Sequence, residues 1–425
     1  MRVVLLAAGA GGMYCGSCMH DNRLAAALRA RGRDVVLVPL YTPLRTDEID
    51  VSESRVFYGG VNAYLQHKSA LFRHTPWVVD RLFDAPWLLR AAGKQAGAAR
   101  PEKLGAMTLS ILQGERGMQR KELAKLVDGL RRLRPAVVYL PNLMFAGLAR
   151  SLKVGLGVPV LCGLTGEDIF IDRLTEPYHS AVLAVIRECG QDIDAYVALT
   201  DYYARHAVEH FGLPAERVHR IPLGIHVAEF AGPRPPAAGP PTIGYLARVC
   251  PEKGLHLLAE ALPMLRAVGH ACRVRAAGYL GSADRDYLAQ LTGRLREGGF
   301  DEVAFEYVGE VTQAEKIEFL RQVDVLAVPT TYAEAKGFYA LEALAAGVPL
   351  VLPGHGAFQE LIAATGGGLL HEPGDAASLA AALGELLADG ERRTAMAARG
   401  QQAAMAQYDA AHMAEQAWAL FERFV

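Results

Sequence analysis

One stretch, residues 328–357, limits the folds open to this chain more than any other. It reads V-P-T-T-Y-A-E-A-K-G-F-Y-A-L-E-A-L-A-A-G-V-P-L-V-L-P-G-H-G-A. An apolar strand ends at Pro329, a polar loop follows, and behind Gly337 the residues Phe338, Leu341, Leu344 and Ala345 recur at helical spacing. Gly347 and Pro349 stop that helix, and residues 348–352 form the unbroken apolar run of a strand buried on both faces. Strand, loop, helix and buried strand in this order build a doubly wound parallel sheet. Such sheets bind ligands outside the carboxyl ends of their strands, where helices begin. Glu334 and Glu342 straddle that helix start, separated by seven residues.

The same grammar runs through the chain. Strands are expected at 3–8, 35–40, 136–140, 158–163 and 195–199, and again at 242–246, 273–277, 303–307 and 323–329. With 425 residues, about half of them apolar, the chain can bury two cores of roughly 200 residues each. Between the two series lies G-P-R-P-P-A-A-G-P-P at 232–241, whose five prolines make a stiff, extended connector. The expected organisation is therefore a first domain at 1–222, a Pro-rich linker at 223–241 and a second domain at 242–404. A terminal helical segment follows at 405–425, with Ala417, Trp418, Leu420 and Phe421 as its apolar residues.

A net charge of -2 gives no reason to expect a nucleic-acid partner. Six cysteines, scattered except for Cys15 and Cys18, suit a reducing, cytoplasmic setting better than a disulfide framework. No apolar run approaches the length of a membrane span. The opening M-R-V-V-L-L-A-A-G-A has the ingredients of a short signal peptide. A Gly-rich turn and an amphipathic helix follow it directly, however, as a first strand requires.

Candidate ligand-facing residues sit at the strand ends. The first loop carries Gly11 and Gly12 but no G-x-G-x-x-G and no P-loop, so it offers close backbone approach to a phosphate or sugar without a dinucleotide fingerprint. Cys15 and Cys18 form a C-x-x-C at a helix start, which reads either as a redox or metal pair or as small-residue packing. His20 and Asp21 follow on the first turn. After the fourth strand stand Thr165, Glu167 and Asp168, as helix caps or as substrate-facing groups. Arg248 and Lys253, five residues apart beside a helix N-terminus, suit a diphosphate. Residues 67–134 are helical and basic, with fourteen Lys/Arg against six acids and the tryptophans Trp77 and Trp87. They could lie on an anionic membrane, hold an anionic acceptor, or present a solvated basic face.

The segments L-A-R-V-C-P-E-K-G, A-E-A-K-G-F-Y-A-L-E-A-L-A-A-G-V-P-L-V and I-P-L-G-I-H-V-A-E-F together resemble the retaining nucleotide-sugar glycosyltransferases of glycosyltransferase family 4. The resemblance implies an α/β, GT-B architecture, in which two Rossmann-like doubly wound domains face a central cleft and a C-terminal helix crosses back to the first domain. It implies that Arg248 and Lys253 hold the donor diphosphate, Glu342 the ribose hydroxyls and Glu334 the sugar hydroxyls. The N–H groups at Gly337 and Phe338 would face the distal phosphate without a metal. Gly11, Gly12 and Gly278 would complete the donor side, and Arg248, Lys253 and Glu334 would act on the breaking bond. No cofactor beyond the nucleotide sugar is implied, with UDP favoured as its nucleotide. The acceptor would be a carbohydrate, a lipid-linked sugar or a small molecule, delivered from the leaving-group face.

Two departures stand out. Ala335-Lys336-Gly337-Phe338 replaces the family's Gly-Phe-Gly type of turn, and Leu164-Thr165-Gly166-Glu167-Asp168 occupies the place of its usual first-domain histidine. The acceptor-side candidates are then His20, Asp21, Thr165, Glu167 and Asp168. A nucleotide-sugar epimerase of the same fold and a catalytically silent nucleotide-binding protein are the competing readings.

Overall fold

A computed structural model describes residues 1–9, 15–77, 80, 83, 101–235 and 239–425. The chain forms two compact units, Met1–Leu223 with Ala411–Val425, and Gly224–Ala410.

The first unit is built on a six-stranded sheet of β1 (Arg2–Ala7), β2 (Asp34–Pro39), β3 (Val137–Leu140), β4 (Val160–Leu164), β5 (Ala195–Ala198) and β6 (Val218–Arg220). The order is β2-β1-β3-β4-β5-β6, and every pairing is parallel. Helices flank these strands, so the central ones are buried on both faces. That is why Val3, Val4, Leu5 and Leu6 run without polar interruption.

The second unit repeats the plan with β7 (Thr242–Leu246), β8 (Arg273–Ala277), β9 (Phe305–Gly309), β10 (Val325–Ala327), β11 (Leu350–Pro353) and β12 (Gly368–His371), in the order β12-β11-β10-β7-β8-β9. All its pairings are parallel too.

Two strands were not foreseen, β6 and β12. Both lie at a sheet edge, and both are short and partly solvated, so neither carries the apolar run that marks a central strand. The Pro-rich connector is tied to the second unit through Arg234. Its guanidinium donates to the Gly347 carbonyl at 2.9 Å and to the Arg321 carbonyl at 3.3 Å. The last helix, Ala410–Glu422, packs in the first unit, where Phe421 meets Tyr139 edge to face at 5.9 Å and Arg33 covers the Trp418 ring at 4.8 Å.

Within residues 67–134 much of the described basic charge is engaged by the fold. Lys121 Nζ lies 2.9 Å from Asp80 Oδ1 and Lys125 Nζ 2.9 Å from Glu122 Oε2. Arg116 reaches Glu188 at 2.8 Å and Arg131 reaches Asp128 at 2.8 Å. Trp77 is exposed, while Trp87 lies outside the described residues. No helix among the described residues is long and apolar enough to cross a membrane.

Candidate functional site

In the second unit the site grows from the loop between β10 and the helix Phe338–Ala345. Gly337 is the helix N-cap at φ 77, a left-handed conformation that side chains resist, and a Cβ there would sit 2.9 Å from the Phe358 ring. As a glycine it has no side chain to cap this N-terminus, the positive end of the helix dipole.

Glu334 lies in the same loop, its carbonyl accepting from the Ala357 amide at 2.8 Å. Its carboxylate meets Lys253 Nζ in a buried ion pair. The Tyr332 hydroxyl donates to the same oxygen, Oε2, at 3.0 Å. The ammonium lies 4.9 Å from the Tyr332 ring centroid and 5.4 Å from that of Tyr339. Burial pushes the Glu334 carboxyl up. The Lys253 charge and hydrogen bond, aided by Lys336 and Tyr332, outweigh that and hold it below the usual carboxylate range. Glu334 is thus an ionised acceptor.

Lys253 ends the short 3-10 turn Pro251–Lys253 that leads into the helix Leu255–Ala267. Arg248 precedes that turn, just past β7, and its positive charge acts on the Tyr332 hydroxyl against the effects of burial and Glu334. Gly278 follows β8, where a Cβ would meet the Ala247 carbonyl oxygen at 1.9 Å. Only glycine allows these two strand ends to approach so closely.

Glu342 is buried within the helix Phe338–Ala345, and its Oε1 accepts from Lys316 Nζ at 2.8 Å. Lys316 went unnoticed in the sequence. The signal was there: Thr312 and Glu315 form a capping box that sets the phase of the helix Gln313–Arg321 and places Lys316 with Phe319 and Leu320 on its buried face. Tyr332 and Tyr339 were missed as well.

In the first unit Thr165, Glu167 and Asp168 gather at the end of β4. Glu167 does not cap the helix Asp168–Ile171. Instead it braces two loops, accepting from the Leu143 amide at 3.1 Å and the Thr165 amide at 2.7 Å. Burial raises its pKa despite those donors. Thr165 Oγ1 accepts from Ser17 Oγ at 2.7 Å, joining β4 to the first helix.

Asp168 accepts from the Tyr203 hydroxyl at 2.6 Å and lies 3.3 Å from His206 Nε2. Burial works to raise Asp168, but His206 and Tyr203 leave it lowered, and the bond to Asp168 raises His206 in turn. The His206 ring stacks between Tyr202 at 5.8 Å and His210 at 5.2 Å. His20 and Asp21 are both buried, with Nδ1 and Oδ1 3.2 Å apart. The bond to Cys15, together with burial, pushes the Cys18 thiol up, opposite to the direction that activates a thiolate. Gly11 and Gly12 lie outside the described residues. Among the described residues no group of three or more His, Cys, Asp or Glu could hold a metal ion.

Residues 229–403 match the family described as glycosyl transferases group 1, and residues 20–224 match the glycosyl transferase 4-like domain. The chain is 26% identical to a phosphatidyl-myo-inositol mannosyltransferase of Mycobacterium leprae, covering 95% of this chain and 91% of that protein. It is 29% identical to a glycogen synthase of Mycobacterium tuberculosis, over 63% of this chain and 64% of that one. In structure it is similar to the Anabaena HepE protein solved with UDP, at 16% identity and a TM-score of 0.70 over 100% of both chains. The two parallel six-stranded sheets are those of the GT-B fold. The chain belongs to the glycosyl transferases group 1, glycosyltransferase family 4, whose members are retaining enzymes.

Proposed function

We propose that this protein transfers a hexosyl group, with retention, from a nucleotide-diphosphate sugar to a carbohydrate or lipid-linked acceptor, and that the donor is a UDP-sugar. The observation that carries the reading is the buried Lys253–Glu334 pair beside the N-terminus of the helix Phe338–Ala345, with Arg248 acting on Tyr332. When the bond from the anomeric carbon to the diphosphate breaks, positive charge grows on the sugar and negative charge on the leaving phosphate. Arg248, Lys253 and the N–H groups at Gly337 and Phe338 are preorganised to stabilise that phosphate. A glycosidase would need a protonated acid beside the bond. Glu334 is held below the usual carboxylate range, which supports a role in accepting hydrogen bonds from donor-sugar hydroxyls.

The relatives' names point to a phosphatidylinositol-type acceptor in one case and to glycogen in another. Tyr64, Leu71, Trp77 and Met118 leave apolar surface exposed in the first unit, which supports peripheral contact with a membrane that presents a lipid-linked acceptor. Because several basic groups nearby are paired internally, apolar contact would contribute more than charge.

The test is a screen of UDP-, GDP- and ADP-sugars for thermal stabilisation and slow hydrolysis, followed by transfer assays with identification of the product anomer. The expected result is turnover of a nucleotide sugar with retention, lowered at least roughly tenfold, about 1.4 kcal/mol, by Glu334→Ala and by Arg248→Ala. Wild-type rates in both variants would refute the site. Epimerisation of the free nucleotide sugar without acceptor would replace the transferase reading.

A further inference from the structure

We infer that Lys316 is a positioning residue for recognition of the nucleotide ribose, acting through Glu342. The inference rests on the proposed role of Glu342 in binding the ribose hydroxyls. The Glu342 and Lys316 side chains are 3% and 6% exposed, and the contact between Oε1 and Nζ is 2.8 Å. Leu341, Ala343, Leu344 and Ala345 around Glu342 are all buried, so an apolar residue would suit this helix position. Replacing a buried ion pair with well-packed apolar side chains is often neutral or stabilising. Fold stability alone therefore gives little reason for an ion pair here.

Orientation gives a better one. A ribose diol donates two hydrogen bonds, and an ionised carboxylate held in one rotamer accepts both, whereas a protonated acid has less acceptor capacity and adds a donor. Lys316 is itself confined. The capping box Thr312/Glu315 fixes the first turn of its helix, and its ammonium lies 5.7 Å from the Phe230 ring centroid. Those constraints leave the ammonium little freedom, so it fixes the aim of the Glu342 side chain.

The test is calorimetric binding of UDP and 2′-deoxy-UDP, with GDP and 2′-deoxy-GDP in parallel, to wild type, Glu342→Gln, Lys316→Met and Lys316→Arg. Wild type should prefer the ribonucleotide by about tenfold, the scale of a hydrogen bond to a charged group. Glu342→Gln should lose the preference, and Lys316→Met should reduce it to within about twofold, an effect that simple destabilisation does not produce. Lys316→Arg keeps the charge but replaces a point ammonium with a planar fork, and should lose at least about threefold of the preference. That variant decides the matter if Lys316→Met does not fold. A folded Lys316 variant with the wild-type preference overturns the inference and leaves Glu342 in its role. A wild type without preference, or Glu342→Gln with it intact, overturns the ribose reading itself.

Discussion

Each unit places a pair of buried carboxylates among its candidate site residues, but the partners differ. In the second unit Glu334 and Glu342 each face a lysine ammonium. In the first, Glu167 faces backbone amides, while Asp168 faces a tyrosine hydroxyl and a histidine. An ammonium keeps its charge through the physiological range, whereas a histidine does not. The two lysine pairs of the second unit thus form a fixed pattern of charge, suited to the diphosphate diester of a nucleotide sugar, which stays ionised through that range. The Asp168–His206 pair at the end of β4 in the first unit responds to pH instead.

The largest expected effect comes from breaking a lysine pair. Lys253→Met leaves Glu334 buried without its cation and should cost on the order of 3 kcal/mol of stability, along with most of the transfer activity. Thermal melting and donor kinetics check both. Acid should act on the same pair. Because the folded pKa of Glu334 lies below its unfolded value of about 4.3, the pair contributes stability above that value and loses it as pH falls through the folded pKa. The stability gap between wild type and Glu334→Gln should therefore narrow on acidification below about pH 4, as read by denaturant unfolding.

The histidine in the first unit should show a smaller effect of opposite sign. His206 is raised in the folded state, so its pairing stabilises below its unfolded value of about 6.5 and the contribution fades as pH rises through the folded pKa. Asp168→Asn should lower the His206 pKa in an NMR titration and flatten the loss of stability above neutrality. An unchanged titration would show that Asp168 does not set the pKa of His206. The smallest effect concerns the exposed apolar surface. Leu71→Ser with Trp77→Ser should weaken pelleting with anionic vesicles by about threefold at both low and high salt. If salt alone abolished binding, charge would be the dominant contact.

The same contrast explains what the sequence could reveal. Central strands such as β1 and β11 are legible because burial on both faces demands an unbroken apolar run, while edge strands β6 and β12 are not. Arg248, Lys253, Glu334, Gly337 and Glu342 stand out because each is a charged or turn-forming residue beside a recognisable strand end or helix start. Lys316 resembles a surface lysine until the phase of its helix is fixed by Thr312 and Glu315. Tyr203 and His206 were invisible for a different reason. Tyr203 lies 35 residues beyond Asp168, the pairing forms only once β5 sits beside β4, and nothing in the local pattern announces it.

Steady-state donor kinetics of Glu334→Gln beside Glu167→Gln probe the difference between the units most directly. The predicted result is a fall of at least about tenfold in kcat/KM for the nucleotide sugar in Glu334→Gln, with the donor KM of Glu167→Gln within about twofold of wild type. Wild-type donor kinetics in Glu334→Gln would contradict the placement of the donor in the second unit.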